Sequence, residues 1–244
     1  MNDQQLSFDF EPSLPQWAGK LAVFDLETTG LDLREARIVT ACAVVINADG
    51  AVVSKNAEWL ADPGIEIPAV ATSVHGVSTE MAREHGQPAK TVVQELLNTI
   101  RGFLNDGIPV VAFNAPYDFT ILHYEALRHG LEPLDMPAPI LDPYLIDRYV
   151  DRYRGGKRNL SIVASHYSVQ LADAHNATAD AVAAGRVMQA IARKFAAKLP
   201  ADALALHQAQ VIWCDELDAN YEAFRQRTAP DFKIERGWPL RNLA

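Results

Sequence analysis

The sequence predicts an α/β protein in which helices cover both faces of a single sheet. Its apolar runs of strand length cover residues 20–26, 37–47, 51–60, 109–113 and 139–142. The first run has β-branched and aromatic character, the second is rich in Val and Ile, and the dipeptide Asp49-Gly50 is typical of a hairpin turn. An antiparallel three-stranded meander followed by alternating helices and strands indicates a layered α/β fold.

Stretches with apolar residues at helical spacing separate and follow these strands. They cover residues 88–103, 117–129, a segment ending near residue 149, 160–167, 177–197 and 201–227. Residues 1–18 are polar and proline-containing, and we expect a flexible arm there. The predicted organisation is an arm (1–18), a main domain (19–198), and a C-terminal helix and tail (199–244). We expect this last helix to pack on the main domain; dimerisation or docking of a partner are the alternatives.

Composition and charge narrow the class of protein. The 244 residues are 49% hydrophobic and 22% charged, which is ordinary for a globular protein. The net charge of −9 argues against binding nucleic acid through a broad basic surface, but not against a small pocket that holds cations. No apolar run is long enough to span a membrane, and the N-terminus does not resemble a secretory signal. The two cysteines, Cys42 and Cys214, are expected to be free thiols in the cytoplasm.

Two acids near the end of the first strand are candidate metal ligands. Asp25 and Glu27 alternate along the strand, so their side chains point to the same face. Burying two acids there is costly without a cation, and no lysine or arginine lies in register nearby. A divalent metal is the natural partner; a hydrated strand end is the alternative.

Three further residues occupy the starts of predicted helices. Asp118 lies in the first turn after the strand at 109–113, where an acid can also serve as a cap or dipole partner. Asp180 is the only acid in the alanine-rich stretch 177–185, where the alternative is a solvated helix face. His175 comes just before the same helix, and the alternative for a lone histidine is a surface or capping position.

The order of these residues resembles one enzyme family. The motifs are Asp-x-Glu-Thr-Thr-Gly from residue 25, Asn-x-x-x-Asp from residue 114 and His-x-x-x-x-Asp from residue 175. This pattern is similar to that of the DEDD exonucleases of the histidine subclass, in particular the branch of the proofreading epsilon subunit of bacterial DNA polymerase III and its stand-alone relatives. The resemblance covers about residues 18–195, and Val-His-Gly-Val-Ser from residue 74 matches a further family segment. It implies a ribonuclease H-like fold with a five-stranded mixed sheet, whose second strand is antiparallel. The helix expected at 201–227 is an appendage beyond the family's usual catalytic core.

The resemblance also implies an activity. The family's members are metal-dependent 3′→5′ exonucleases, here expected to release nucleoside 5′-monophosphates from single-stranded DNA 3′ ends in proofreading or DNA repair. Two Mg²⁺ or Mn²⁺ ions would be held by Asp25, Glu27, Asp118 and Asp180, with Asp25 bridging them. His175 would act as general base, and Glu27 shares the catalytic centre. An exoribonuclease that trims RNA 3′ ends is the alternative, and a non-catalytic binding module on the same fold is a third.

Further residues match family positions that contact the substrate. They are Thr28, Thr29, Gly30, Leu31, His75, Phe113 and Asn114. For Phe113, core packing is the alternative. The basic loop 151–159 carries Arg158, which could contact upstream phosphates; solvated loop charges are equally compatible with the sequence.

The arm contains a separate motif. Its residues Gln5, Leu6, Phe8 and Phe10 resemble the hexapeptide with which bacterial replication proteins dock on the sliding clamp. The alternative is an arm that folds back on its own protein. Polymerase-associated relatives bind a DNA polymerase subunit through a flexible C-terminal segment, whereas the helix expected at 201–227 is more structured than such a linker.

Overall fold

The computed structural model describes residues 13–54, 57–171 and 176–242. Within these ranges six strands form one sheet in the order β4-β3-β2-β1-β5-β6. Their bounds are β1 Lys20–Thr28, β2 Ile38–Asn47, β3 Glu58–Asp62, β4 Gln87–Pro88, β5 Val110–Val111 and β6 Ile140–Leu141. Strand β2 is antiparallel to β1 and β3, while the other neighbours pair in parallel. The predicted α/β sheet with an antiparallel second strand is confirmed. It has six strands where five were expected, because Gln87–Pro88 adds to the edge beside β3.

The third strand begins later than the sequence predicts. Residues 51–54 stay beside β2 through an isolated bridge between Val52 and Ile46. The Ser54 hydroxyl accepts a hydrogen bond from the Val45 N–H at 2.8 Å, which takes the place of a ladder bond from a paired strand. Regular pairing with β2 begins only at Glu58.

Eight α-helices lie within the described ranges. They are α1 Ala69–His75, α2 Thr79–His85, α3 Ala89–Asn105, α4 Ala115–Arg128, α5 Pro143–Val150, α6 Leu160–His166, α7 Ala177–Lys194 and α8 Ala203–Gln226. The last six agree with the predicted helices to within a few residues at their ends. Helices α1 and α2 were not predicted, because seven residues give too little periodicity for a helical pattern to be recognised.

Helix α7 lies unusually close to the centre of the sheet. It contacts β1 and β2, and five of its eleven buried residues are alanines. A Cβ atom at Gly185 would lie 2.4 Å from Val23 Cγ1 and 2.6 Å from Ile46 Cδ1. Glycine at this position therefore permits the close approach, which brings the first turn of α7 beside the end of β1.

The C-terminal helix is part of the fold. Trp213 of α8 stacks on Tyr149 of α5 with ring centroids 4.2 Å apart. The buried Gln210 donates to the Ile140 carbonyl at 3.0 Å and accepts from the Asp142 N–H at 2.7 Å. The expectation that this helix packs on the main domain is confirmed.

The chain before β1 joins the core earlier than expected. Residues Gln16–Ala18 form a 3₁₀ helix, Ala18 is fully buried, and Gln189 of α7 donates to the Ala18 carbonyl at 3.0 Å. Residues 16–18 therefore belong to the folded domain and not to an arm. In the part of the chain that the structure describes, no helix combines the length and apolar character needed to cross a membrane.

The packing at Gly185 gives a test of the fold. We expect Gly185→Ala to lower the unfolding free energy by about 1–2 kcal/mol, because overpacking outweighs the better helix propensity of alanine. The measurement is the urea midpoint. The matched control is Gly102→Ala in α3, where a Cβ meets nothing within 4 Å; it should stabilise the protein slightly. Equal effects of the two substitutions would contradict the packing argument.

Candidate active site

Three of the four predicted metal ligands converge at the end of β1. Asp25 and Glu27 alternate on one face of the strand, and Asp180 faces them from the first turn of α7. Each of the three offers a carboxylate oxygen, and these oxygens all lie within 4.8 Å of one another. All three side chains are partly exposed, so an ion can reach them. Clustered carboxylate oxygens are the donor set that Mg²⁺ and Mn²⁺ prefer.

The fourth predicted ligand, Asp118, is buried beside this cluster. It lies in the first turn of α4, and its Oδ1 accepts a hydrogen bond from the Leu26 N–H at 3.0 Å. Leu26 is the residue between Asp25 and Glu27. The bond therefore fixes the start of α4 to the segment of β1 that carries the other acids.

The cluster holds uncompensated negative charge. Burial, followed by the charges of Asp118, Glu27 and Asp180, raises the pKa of Asp25 well above its usual value. Burial and the charge of Asp180 raise the pKa of Glu27 to about 7. Burial also raises the pKa of Asp118, against the opposing effect of the Leu26 N–H. A bound divalent cation would reverse these shifts, so the residues present fit a metal site.

The turn after β1 is fixed by a tyrosine. The Tyr117 hydroxyl donates to the Gly30 carbonyl at 2.8 Å and lies 2.6 Å from the Thr28 hydroxyl. Leu31, the next residue of the turn, is 85% exposed. Tyr117 was not predicted as a site residue, although its place directly before Asp118 was a signal for it.

Two other predicted substrate residues meet this turn. His75 ends α1, and its Nδ1 accepts from the Val77 N–H at 3.2 Å. Burial lowers the pKa of His75, and the facing backbone of Thr28 partly offsets this effect. Thr29 is used internally, because its hydroxyl accepts from the Arg37 N–H at 2.9 Å.

The segment between β5 and α4 carries the last two predicted substrate residues, Phe113 and Asn114. Phe113 packs against the core, and its ring lies 5.7 Å from the ring of Tyr144. This is the core packing that the sequence left open as the alternative to a substrate contact. Asn114 is exposed and adopts a left-handed backbone conformation with φ 66°. Asparagine tolerates this conformation well, and it allows the chain to turn sharply into α4.

Arg158 has a structural role instead of the substrate contact that was expected. Its guanidinium donates to the carboxylate of Asp147 at 2.6 Å and to the carbonyls of Asp151 and Arg154. Asp147 is fully buried and needs a cationic partner, and Arg154 pairs with it as well. This network directs Arg154 and Arg158 inward.

Some predicted residues lie outside the described ranges. The candidate general base His175 is one of them. So are the residues of the clamp-like motif, namely Gln5, Leu6, Phe8 and Phe10.

Asp142 is a site-positioning residue that the sequence analysis missed. It is buried, caps α5, and accepts from the N–H groups of Asn114 at 2.9 Å and Ala115 at 3.1 Å. These two residues begin α4, so Asp142 holds the helix that carries Asp118. The indole N–H of Trp238 lies 3.5 Å from the same carboxylate. The sequence signal was Asp-Pro at a helix start, which is a capping signature.

Comparison with known proteins agrees with this geometry. The family model described as Exonuclease (RNase_T) matches residues 22–188. The chain belongs to this exonuclease family. A DNA polymerase III of the PolC type from Lacticaseibacillus paracasei is 30% identical over 182 residues, which are 75% of this chain and 12% of that protein. The DNA polymerase III subunit epsilon of Rickettsia conorii is 24% identical over 150 residues, 60% of this chain and 61% of that protein.

Solved structures of an exonuclease have the same fold as this chain. The E. coli exonuclease I complex with a dA16 oligonucleotide superposes with a TM-score of 0.61 at 14% identity, covering 73% of this chain and 42% of that one. Its zinc-bound complex with single-stranded DNA gives a TM-score of 0.62 at 15% identity over 73% and 42%. The ribonuclease H-like fold is thereby confirmed. The chain spans only about an eighth of the PolC-type relatives and less than half of exonuclease I.

The hydrogen bonds that the Asp142 carboxylate accepts lead to a prediction about stability. We expect Asp142→Ala to lower the unfolding free energy by about 2–4 kcal/mol, because several buried N–H groups lose their acceptor. The control is Asp202→Ala, which removes the exposed cap of α8 and should cost about 1 kcal/mol. Urea denaturation of both variants measures the difference. A similarly small loss of unfolding free energy in both would refute the structural role of Asp142.

The crowded carboxylates predict an unusual response to pH. Because the pKa of Glu27 rises from 4.5 to about 7 on folding, the metal-free folded state binds more protons than the unfolded state in this window. The stability of the metal-free protein should therefore fall as the pH rises from 4.5 to about 7. We expect Asp25→Asn to raise the melting temperature of the metal-free protein by about 2–4 °C near neutral pH, since it removes repulsion. Melting in EDTA and in Mg²⁺ is the measurement.

Two further results would identify the cause of that change. Mg²⁺ should stabilise the wild type more than it stabilises Asp25→Asn. The exposed Asp135→Asn serves as the control and should respond like the wild type. An Asp25→Asn variant that melts below the wild type in EDTA would contradict the repulsion argument.

Proposed function

We propose that this chain is a metal-dependent 3′→5′ exonuclease that releases nucleoside 5′-monophosphates from single-stranded DNA ends. The observation that supports this most is the convergence of Asp25, Glu27 and Asp180 within 4.8 Å, with Asp118 bonded to the strand between the first two. Such a set at the end of a central strand suits phosphodiester hydrolysis, in which negative charge develops on phosphate oxygens.

The four carboxylates are proposed to hold two Mg²⁺ or Mn²⁺ ions. From the resemblance of the motifs, Asp25 would be shared between the two ions. When bound, such ions neutralise the phosphate and activate the attacking water. The Leu26 N–H keeps the Asp118 carboxylate oriented toward the segment of β1 that carries the other acids.

The chain's own side chains would position the substrate and move the proton. The turn from Thr28 to Leu31 is fixed by Tyr117 and lies beside the acids, where it can contact the terminal nucleotide. The exposed Leu31 is suited to packing against a base. His175 is proposed as general base on the strength of its place in the third motif, five residues before Asp180.

The relatives support DNA as the substrate. PolC-type polymerases and the epsilon subunit are named as parts of DNA polymerase III, and exonuclease I binds DNA oligonucleotides in its solved complexes. On this basis we place the activity in proofreading or DNA repair, with a DNA polymerase subunit as a candidate partner. Clamp binding through Gln5, Leu6, Phe8 and Phe10 stays a prediction from sequence.

A digestion assay tests the proposal. Wild-type protein with Mg²⁺ should shorten 5′-labelled single-stranded DNA stepwise from its 3′ end and release nucleoside 5′-monophosphates. Asp25→Ala and His175→Ala should each lower the rate by about 100-fold or more, because each removes a group needed in the transition state. The exposed Asp106→Ala is the control and should keep full activity.

Parallel substrates decide the finer points. Duplex, mismatched and RNA oligonucleotides of the same sequence separate a proofreading role from RNA trimming. Faster digestion of RNA than of DNA would replace the proposed substrate by the alternative. Full activity in either Asp25→Ala or His175→Ala would refute the assigned site.

A further inference from the structure

An open groove of about 870 Å³ lies next to the turn after β1 and the start of α4. One wall is the turn at residues 31–34, and the floor is the start of α4, where Asn114, Pro116 and Tyr117 line it. The opposite wall consists of residues 233–236 together with Arg241 and Asn242. This C-terminal segment, residues 233–242, is called the tail wall below. It lies beyond residue 188, where the match to the exonuclease family ends.

The groove adjoins the turn that follows the proposed metal ligands Asp25 and Glu27. Tyr117 on its floor precedes Asp118, and the Tyr117 hydroxyl holds the turn at Gly30. Leu31 belongs both to this turn and to the groove. A strand whose last nucleotide rests on the turn therefore has this groove as a path for its preceding nucleotides.

We propose that the tail wall forms the second side of a binding groove for single-stranded DNA, and that Lys233 contacts a phosphate upstream of the terminal nucleotide. This inference rests on the proposed function, because it assumes that a strand end reaches the carboxylates. It assigns to the C-terminal region a substrate-binding role within the same chain.

Basic side chains outnumber acidic ones in the lining of the groove. Four basic side chains line it and only two acidic ones do, although the whole chain has a net charge of −9: the basic residues are Arg34, Lys233, Arg236 and Arg241, and the acidic residues are Asp32 and Glu235. The Asp32 carboxylate is occupied within its own turn, where it accepts from the N–H groups of Arg34 and Glu35. Positive side chains concentrated along one groove attract a phosphate backbone independently of base sequence.

The tail wall is held firmly against the domain. The Arg241 N–H donates to the Thr120 hydroxyl of α4 at 2.9 Å, and the Arg241 guanidinium pairs with Asp218 of α8. Trp238 is buried, with its ring 5.0 Å from the ring of His207. These contacts order the wall before any strand binds, which reduces the entropic cost of binding.

Lys233 is the cation of this wall that is available to a phosphate. Arg236 and Arg241 form ion pairs with Glu222 and Asp218, whereas the exposed Lys233 has no carboxylate within 4.0 Å among the described residues. A lysine on a flexible stem can follow the backbone of a mobile strand without selecting a base.

The test compares a long substrate with a short one. The long substrate is a single-stranded DNA of about 16 nucleotides, which would extend along the groove. The short one is the p-nitrophenyl ester of thymidine 5′-monophosphate, which reaches only the carboxylates and the turn. We expect Lys233→Glu to raise KM for the oligonucleotide about tenfold while kcat and the hydrolysis of the ester stay unchanged. Lys233→Ala should lower the slope of log affinity against log salt by about one.

The control is Lys20→Glu. Lys20 is exposed at the start of β1, seven residues before Glu27 and therefore about 23 Å away along the strand. It should leave both substrates unaffected. An unchanged KM in Lys233→Glu would overturn the inference, and so would an equal loss on the ester, because that would indicate damage to the catalytic centre.

A binding measurement separates failure of the inference from failure of the proposed function. If the wild type hydrolyses neither substrate, the proposed function is wrong, and fluorescence anisotropy with the labelled oligonucleotide in Ca²⁺ still tests the groove. Weaker binding by Lys233→Glu than by Lys20→Glu would support the groove. Equal binding by the two variants would refute it.

Discussion

The site depends on one constraint: four carboxylates are held together although they repel one another. The repulsion is evident in the raised pKa of Asp25, to which its three acidic neighbours contribute beside burial. Flexible side chains on separate loops would move apart under such a force. Here the backbone prevents this, because β1 is paired along its whole length with β2 and cannot release Asp25 or Glu27.

The other two acids are fixed by tertiary contacts of different kinds. Asp118 is attached by the Leu26 N–H, so the strand and the helix that carry the ligands cannot shift independently. Asp180 depends on the close approach of α7 to the sheet, which the missing side chain of Gly185 permits. A cation between these carboxylates would replace their mutual repulsion by attraction to the cation. The scaffold already holds the carboxylates close together for such a cation.

The C-terminal region is joined to the same scaffold. Gln210 of α8 and Trp238 of the tail both meet Asp142, and Asp142 holds the residues that begin α4. The segment after the family's matched region therefore braces the helix that carries Asp118, and it also forms one side of the adjacent groove. Support of the acids and binding of a strand would be functions of the same polypeptide segment.

The sequence by itself determined the long elements and the identity of the acids. Strand and helix periodicity is local, so β1, β2 and α3 could be predicted from their own residues, as could the placement of Asp25 and Glu27 on one face. The short elements α1, α2 and β4 could not, because so few residues carry no clear period. Only the tertiary structure decided which charged side chains face the site. Arg158 points inward because the buried Asp147 needs a cationic partner. Lys233 lines the same groove as Leu31 and Tyr117, although more than a hundred residues of sequence separate it from either of them. The orientation of these side chains depends on contacts between segments that are distant in sequence, so no local sequence pattern predicts it.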